Sequence, residues 1–305
     1  MVKARTNDCC IEGFAQVGDA AFSDTDIRLV FSDVSETAAK LQRLHGLDRP
    51  AAAELGRAIA AVALFGVDFR EQNDSIIFCA ETSAPIDGWH VEISGRGALR
   101  GYLFNPDPDY GAISPRIPPD SAFSKARLTR VNEAGDIVAQ SSFGAPAADI
   151  AQLMAAYHNG ASRVTTRIAI CAASSGPDSG AIDCVRALAI QYIDAPSNPR
   201  LARIAPLFDN GAVATQLELD PTAAALGDLF GIQWLGISPP RALAMSCTCS
   251  QQAADESYAT RSPAELAGMA LARKGRQFRC HLCGAVYDVT YEKIEKFSQN
   301  ANKAQ

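Results

Sequence analysis

Two tight cysteine pairs stand near the C-terminus, Cys247-Thr248-Cys249 and Cys280-His281-Leu282-Cys283, with thirty residues between them. Each pair can turn two sulfurs towards one point, and the intervening chain can bring those points together. Four thiolates at about 2.3 Å complete the tetrahedral shell of a structural zinc ion. Gly284 allows a tight turn directly after the last cysteine, and Val286, Tyr287 and Val289 read as the strand that follows. The spacing therefore predicts Cys247, Cys249, Cys280 and Cys283 as metal ligands, with zinc as the ion. Iron is also compatible with four sulfurs. A thioredoxin-like C-x-x-C belongs at the start of a helix, whereas this one precedes a strand.

Such a site permits two uses. As a staple it only holds the fold, worth on the order of 10–16 kcal/mol to a small module. As a sensor it presents thiolates, the form that oxidants attack, and disulfides would leave no ligand for the metal. A bridge between residues i and i+2 is geometrically tight. Spacing leaves both uses open.

The other reactive residues predict less. Cys9 and Cys10 are adjacent and cannot easily share one ion, so they read as an exposed pair without function. Cys79, Cys171 and Cys184 lie in strand-like runs and read as core thiols. His45, His90, His158 and His281 are scattered, and His281, between two ligands, reads as a solvent-facing spacer. Gly95-Arg96-Gly97 lacks the third glycine of a dinucleotide loop. There is no Walker motif, G-x-S-x-G or H-E-x-x-H, so the chain is not expected to be an enzyme. Arg273, Lys274, Arg276 and Arg279 form a basic run beside the second pair, which reads as a solvated face. The alternative is a zinc-ribbon nucleic-acid-binding module.

The elements that must position these residues fall into three stretches. A strand at 27–31 leads through capping residues at Ser32–Ser35 into a helix that ends at Gly46. Pro50 suits a first helical turn, and Leu55, Ile59, Val62 and Ala63 recur at helical spacing behind it. Short alternating runs at 75–80, 89–94, 98–104, 127–131 and 137–143 predict an antiparallel sheet, interrupted by a proline-rich loop at 105–119. A helix at 147–158 and strands at 164–172 and 184–193 complete this body. Alanine-rich helical stretches follow at 201–208 and 221–230. The expected fold is α+β: a sheet-and-helix body at 1–195, a helical connector at 196–245 and a small zinc-binding module at 246–305.

Composition agrees with a folded protein, 48% hydrophobic and 20% charged over 305 residues. The net charge of −6 argues against general nucleic-acid binding. From Arg241 onward nine Lys or Arg face six Asp or Glu, about +3, which sets the tail apart from an acidic remainder. No continuous apolar run reaches membrane-spanning length and the start lacks an apolar signal core, so the expected location is the cytoplasm, with no membrane partner.

The cysteine pairs and the body together resemble the 33 kDa chaperonin family (heat-shock protein 33). Cys247-Thr248-Cys249-Ser250 and Cys280-x-x-Cys283-Gly284 carry most of the likeness. Val34-Ser35-Glu36-Thr37 opening a helix, Pro50, Gly95-Arg96-Gly97 before Ala98–Tyr102, and Leu226, Leu229, Phe230 and Pro240 extend it. The resemblance implies an ATP-independent holdase that is zinc-bound and inactive when reduced. Hypochlorous acid, or peroxide with heat, would form the disulfides Cys247–Cys249 and Cys280–Cys283. The tail and connector would then unfold, a homodimer would form, and exposed apolar surface would bind unfolding clients. The sequence departs from the family at Ile232-Gln233-Trp234, at Tyr157–Arg163 and around Arg186-Ala187.

Overall fold

The computed structural model describes residues 8–17, 27–82, 86–107, 125–143, 149–160, 164–174, 176, 180–192 and 201–303. The chain divides into two compact units, 1–246 and 247–305.

In the first unit, β1 (Cys9–Val17) and β2 (Ile27–Asp33) lead into α1 (Ser35–His45) and α2 (Arg49–Ala63), which continues as a 3-10 turn to Asp68. The middle of the chain gives β3 (Ser75–Glu81), β4 (Gly88–Ser94), β5 (Ala98–Leu103), β6 (Lys125–Val131) and β7 (Ile137–Phe143). After α3 (Ile150–Gly160) come β8 (Thr166–Ala173) and β9 (Cys184–Tyr192). Three short helices follow, α4 (Ala205–Asp209), α5 (Ala212–Leu219) and α6 (Ala223–Phe230), and then β10 (Ile232–Ile237), β11 (Arg241–Ala242) and β12 (Ala244–Met245). One sheet runs β10-β1-β2-β9-β8 with β11 also on β1, and the other runs β12-β5-β4-β3-β6-β7. Neighbours are antiparallel apart from β12, which joins β5 in parallel.

Alternation explains the second sheet. In β3 and β4, Ile76, Phe78, Ala80, Trp89, Val91 and Ile93 point inward while the residues between them are half-buried. Helix α2 packs on β4 and β5 of this sheet and on β8 and β9 of the other. Its buried alanines, among them Ala51, Ala58, Ala60 and Ala61, permit that close approach on several sides. With its 3-10 extension it spans 20 residues at a mean hydropathy of 1.4, long and apolar enough to cross a membrane. However, 83% of that window is buried inside the unit, as the helix forms its core. Glu54 and Arg57 interrupt its sequence, so it is not a continuous apolar run.

The start of α1 is capped partly from a distance. Its first residue follows Val34, whose side chain cannot cap, and Ser32 is buried, donating to the Ala60 carbonyl at 2.9 Å. Asp33 accepts from the Ser35 amide at 3.1 Å, and the Asp8 carboxylate accepts from the Glu36 and Thr37 amides at 2.9 and 2.7 Å. Gly46, at φ +67°, then closes the helix as the sequence predicts.

A second apolar cluster lies on the other face of the first sheet. Ala15, Ile27, Leu29, Ala169, Cys171, Leu188 and Ile190 pack with Val213 and Leu217 of α5 and with Leu226 and Phe230 of α6. The helical expectation for 196–245 therefore applies as far as Phe230, within the described residues. From Ile232 the chain is extended and pairs with the sheets. Trp234 of β10 crosses Gly13 of β1, where an added Cβ would stand 2.5 Å from the indole ring. The indole N–H donates to the Ala223 carbonyl at 2.8 Å.

The second unit contains α7 (Gln251–Ala259), α8 (Pro263–Leu271), the hairpin β13 (Arg276–Arg279) and β14 (Val286–Val289), and α9 (Tyr291–Lys303). Ser262 and Glu265 form a reciprocal capping box on α8. The apolar core is small: Ala254, Tyr258, Val289 and Ile294, with Met269, Phe278, Tyr287 and Phe297 partly buried against it.

Candidate metal centre

Both cysteine pairs sit where regular structure begins or turns. Cys247 and Cys249 precede α7, whose N-cap Ser250 accepts from the Ala253 amide at 3.1 Å. Cys280 and Cys283 occupy the turn between β13 and β14. The Cys280 amide donates to the Ala285 carbonyl and the Gly284 amide to the Cys280 carbonyl, each at 2.8 Å. This turn requires φ +72° at residue 284, which glycine supplies without strain.

The four sulfurs lie within 4.8 Å of one another. Cys247 Sγ is 3.8 Å from Cys280 Sγ, and Cys249 Sγ is 3.3 Å from Cys283 Sγ. A tetrahedron with metal–sulfur bonds of 2.3 Å has sulfur–sulfur edges of about 3.8 Å, so this donor set fits such an ion. Cys280 and Cys283 are buried and the first pair is half-buried. Burial pushes the Cys280 and Cys283 thiols up. At Cys249, burial also raises the thiol, but hydrogen bonds from Tyr287 and the neighbouring cysteines outweigh it and hold the group below its ordinary value. Four thiolates in one cluster need a central positive charge, which a divalent ion supplies.

Tyr287 is a site residue that sequence reasoning placed only in a strand. Its hydroxyl stands 3.2 Å from Cys249 Sγ and donates to the Cys249 carbonyl at 3.0 Å. The available signal was an aromatic four residues after Cys283, but its partner lies 38 residues earlier. His281 is exposed, as expected, and the candidate ligands are all cysteines. Arg273, Lys274, Arg276 and Arg279 are also exposed.

The remaining cysteines correct the sequence reading. Cys10 is fully buried against Gly66, and burial pushes its thiol up to about 12. Together with half-buried Cys9 it belongs to an inner strand, not to an exposed start. Of the three expected core thiols only Cys171 is buried. Cys79 faces outward, 3.5 Å from His90 Nδ1, and His90 Nε2 is 2.7 Å from Glu92. Cys184 is half-buried beside Cys171. Gly95-Arg96-Gly97 forms the β4–β5 turn, closed by the Gly97 amide on the Ser94 carbonyl.

A mixed α+β body followed by a four-cysteine cluster able to hold a metal ion defines the class of protein. The family model for the Hsp33 protein matches residues 16–290, and the chain belongs to that chaperone family. It is 25% identical over 292 residues to the 33 kDa chaperonin of Deinococcus radiodurans, covering 92% of this chain and 96% of that one. It is also 25% identical over 259 residues to the 33 kDa chaperonin of Symbiobacterium thermophilum, covering 83% and 86%. The crystal structure of the 33 kDa chaperonin of Thermotoga maritima aligns with a TM-score of 0.77 at 19% identity, over 97% of this chain and 99% of that one. This last likeness concerns the fold alone.

Proposed function

We propose that this chaperone is a redox-regulated, ATP-independent holdase, zinc-bound and inactive when reduced, which binds unfolding proteins after oxidation. The observation that carries the reading is the convergence of Cys247, Cys249, Cys280 and Cys283 within 4.8 Å in a family of chaperones. Zinc, when bound, supplies charge that keeps the sulfurs as thiolates and much of the folding energy of the unit. The soft four-sulfur donor set supports zinc, and residues 246–305 then serve as the switch.

The proposed disulfides are Cys247–Cys249 and Cys280–Cys283, as the family resemblance implies. Within the folded cluster the short approaches run across the pairs, at 3.8 and 3.3 Å. They depend on β13, β14 and the chain before α7 being in place. Once the ligands oxidise and the unit loosens, only the cysteines tied by one or two intervening residues stay close. Local pairing is therefore favoured kinetically.

Residues 196–245 form the connector in this reading, and 1–195 the client-binding body. Connector release uncovers the apolar face made by Ala15, Ile27, Leu29, Leu188 and Ile190. The active form is a homodimer in the cytoplasm, with neither membrane nor nucleic acid as partner. The test compares reduced, zinc-loaded chain with peroxide-treated chain for suppression of light scattering by a chemically denatured client. Suppression by the oxidised form alone is expected; zinc loss without any gain in suppression refutes the chaperone switch. The exposed run Arg273, Lys274, Arg276 and Arg279 favours the second reading, a zinc-ribbon nucleic-acid binder. Salt-dependent RNA or DNA binding by the reduced, metal-loaded chain would establish it.

A further inference from the structure

A second pair of sulfurs lies in the body, on the face of the first sheet that α5 covers. Cys171 is the sixth residue of β8 and Cys184 the first of β9. Their register is diagonal: Cys171 stands opposite Arg186, and Cys184 opposite Ala173. The side chains share one face, and the sulfurs approach to 3.8 Å. Cys171 is 6% exposed within the apolar cluster that includes Val213 and Leu217 of α5, whereas Cys184 is half-buried and open to small molecules.

We propose that Cys171 and Cys184 are a second thiol modification site, which hydroperoxides convert to an intramolecular disulfide independently of the four-cysteine cluster. A disulfide bond is about 2.05 Å long, so the sulfurs must close by roughly 1.8 Å. Cys184 forms the last rung of its ladder, and its strand begins there, so the movement is confined to the sheet end. The neighbouring pair Cys9 and Cys10 offers no such closure, because successive strand residues point to opposite faces.

The surroundings set the order of events. Arg186, opposite Cys171, is held by Asp33 at 2.8 Å and donates to the Leu217 carbonyl at the end of α5 at 2.7 Å. A hydrogen bond from the Cys171 thiol lowers the Cys184 thiol below its ordinary value; burial opposes this and Arg186 assists it. The same hydrogen bond, with burial, raises Cys171. Cys184 is thus both the more accessible sulfur and the better nucleophile.

Its thiolate attacks one peroxide oxygen and breaks the O–O bond. Cys184 becomes a sulfenic acid, and the other oxygen leaves as hydroxide and takes up a proton to give water. The Cys171 sulfur then attacks the Cys184 sulfur, forming the S–S bond and expelling the sulfenic oxygen, which leaves as water with the Cys171 proton. In sum two thiols and one hydrogen peroxide give one disulfide and two waters; the thiols lose two electrons and the peroxide gains them.

The site rests on two sulfurs of the body and not on the proposed zinc switch. Both cysteines fall in one tryptic peptide, Ile168–Arg186, with no Lys or Arg between. Full-length, zinc-loaded protein is treated with hydrogen peroxide, alkylated without reduction and digested. The doubly alkylated peptide should fall at least tenfold, replaced by an unalkylated form two hydrogens lighter than the dithiol. In Cys171→Ser the reaction should stop at Cys184 sulfenic acid, trapped by a cyclic 1,3-dicarbonyl reagent, a product that a purely structural thiol would not give. Should that variant fail to fold by far-UV dichroism, the wild-type peptide decides alone. The proposal is overturned if this peptide stays doubly alkylated at peroxide doses that oxidise Cys247, Cys249, Cys280 and Cys283. It is equally overturned if Cys184 is found bridged to another cysteine.

Discussion

Stripping the metal from reduced protein should unfold the second unit and leave the α2 core of the first intact. The structure sets the magnitude. Apart from the cysteines, the buried apolar residues among the described residues of 247–305 are Ala254, Tyr258, Leu266, Val289 and Ile294, and one of them is an alanine. A single core in a unit of this size supplies no more than about 3–5 kcal/mol. A structural zinc ion contributes on the order of 10–16 kcal/mol. Its loss exceeds what the core can offset, so α7, α8 and α9 should melt together with the β13–β14 hairpin. The assay is hydrogen exchange read by mass spectrometry before and after treatment with a high-affinity zinc chelator under reducing conditions, with metal content measured on the same samples. Amides of 251–303 should lose protection in step with metal loss. Those of α2, buried between two sheets, should keep theirs. Protection of α9 that persists at zero metal content would refute the reasoning, because the core would then suffice alone.

Three further outcomes follow from individual contacts. Tyr287→Phe removes the hydroxyl that fixes Cys249 through its carbonyl at 3.0 Å; zinc affinity, measured by chelator competition, should fall by about 10–100-fold with the ligands intact. Gly13→Ala places a Cβ 2.5 Å from the Trp234 ring, which should cost about 1–3 kcal/mol in denaturant titration and red-shift Trp234 emission, with buried Trp89 as the unmoved reference. His158 is stacked on Phe65 at 5.1 Å and lowered to about 4 by burial. The unfolded chain thus binds the extra proton between pH 6.5 and 4, and stability is lost as pH falls through that window, by up to about 3 kcal/mol. Glu54, raised by burial, acts in the opposite sense. The measurement is therefore the difference in pH slope between wild type and His158→Gln, whose slope should be the flatter.

How much of this was legible in the sequence depends on the distance over which each feature is encoded. The cysteine cluster was legible because each pair is local and Gly284 marks its turn. Strands β3, β4 and β5 were legible because one buried face imposes strict alternation. Strand β1 was not. Its sequence CCIEGFAQV carries Glu12, which faces Arg28 in an ion pair, and Gly13, which is small because Trp234 occupies the space above it. Both reasons lie in residues remote in sequence, Trp234 more than two hundred positions away. The cap of α1 was only partly legible for the same cause: Asp33 meets the Ser35 amide locally, yet the Glu36 amide is met by Asp8 across 28 residues. Tyr287 follows suit, its role being visible only once Cys249 is beside it.

These remote contacts bear on how the proposed switch would reach the client surface. Strand β1 has partners on both sides, β2 and β10, so its backbone groups are satisfied only while β10 is docked. The connector, which contains β10, also covers the apolar cluster around Leu29 and Ile190 through α5 and α6. Its release therefore does two things at once. It uncovers an apolar face and turns β1 into an edge strand with unpaired N–H and C=O groups. Unfolding chains expose both complementary features, apolar side chains and unsatisfied backbone, and can add to such an edge as a strand. An apolar patch alone would bind without orientation, and an edge alone would bind weakly. Backbone pairing is indifferent to side-chain identity, so a surface of this kind suits many clients. That breadth is what the proposed holdase requires, and it comes from the same β1–β10 seam that Trp234 closes over Gly13.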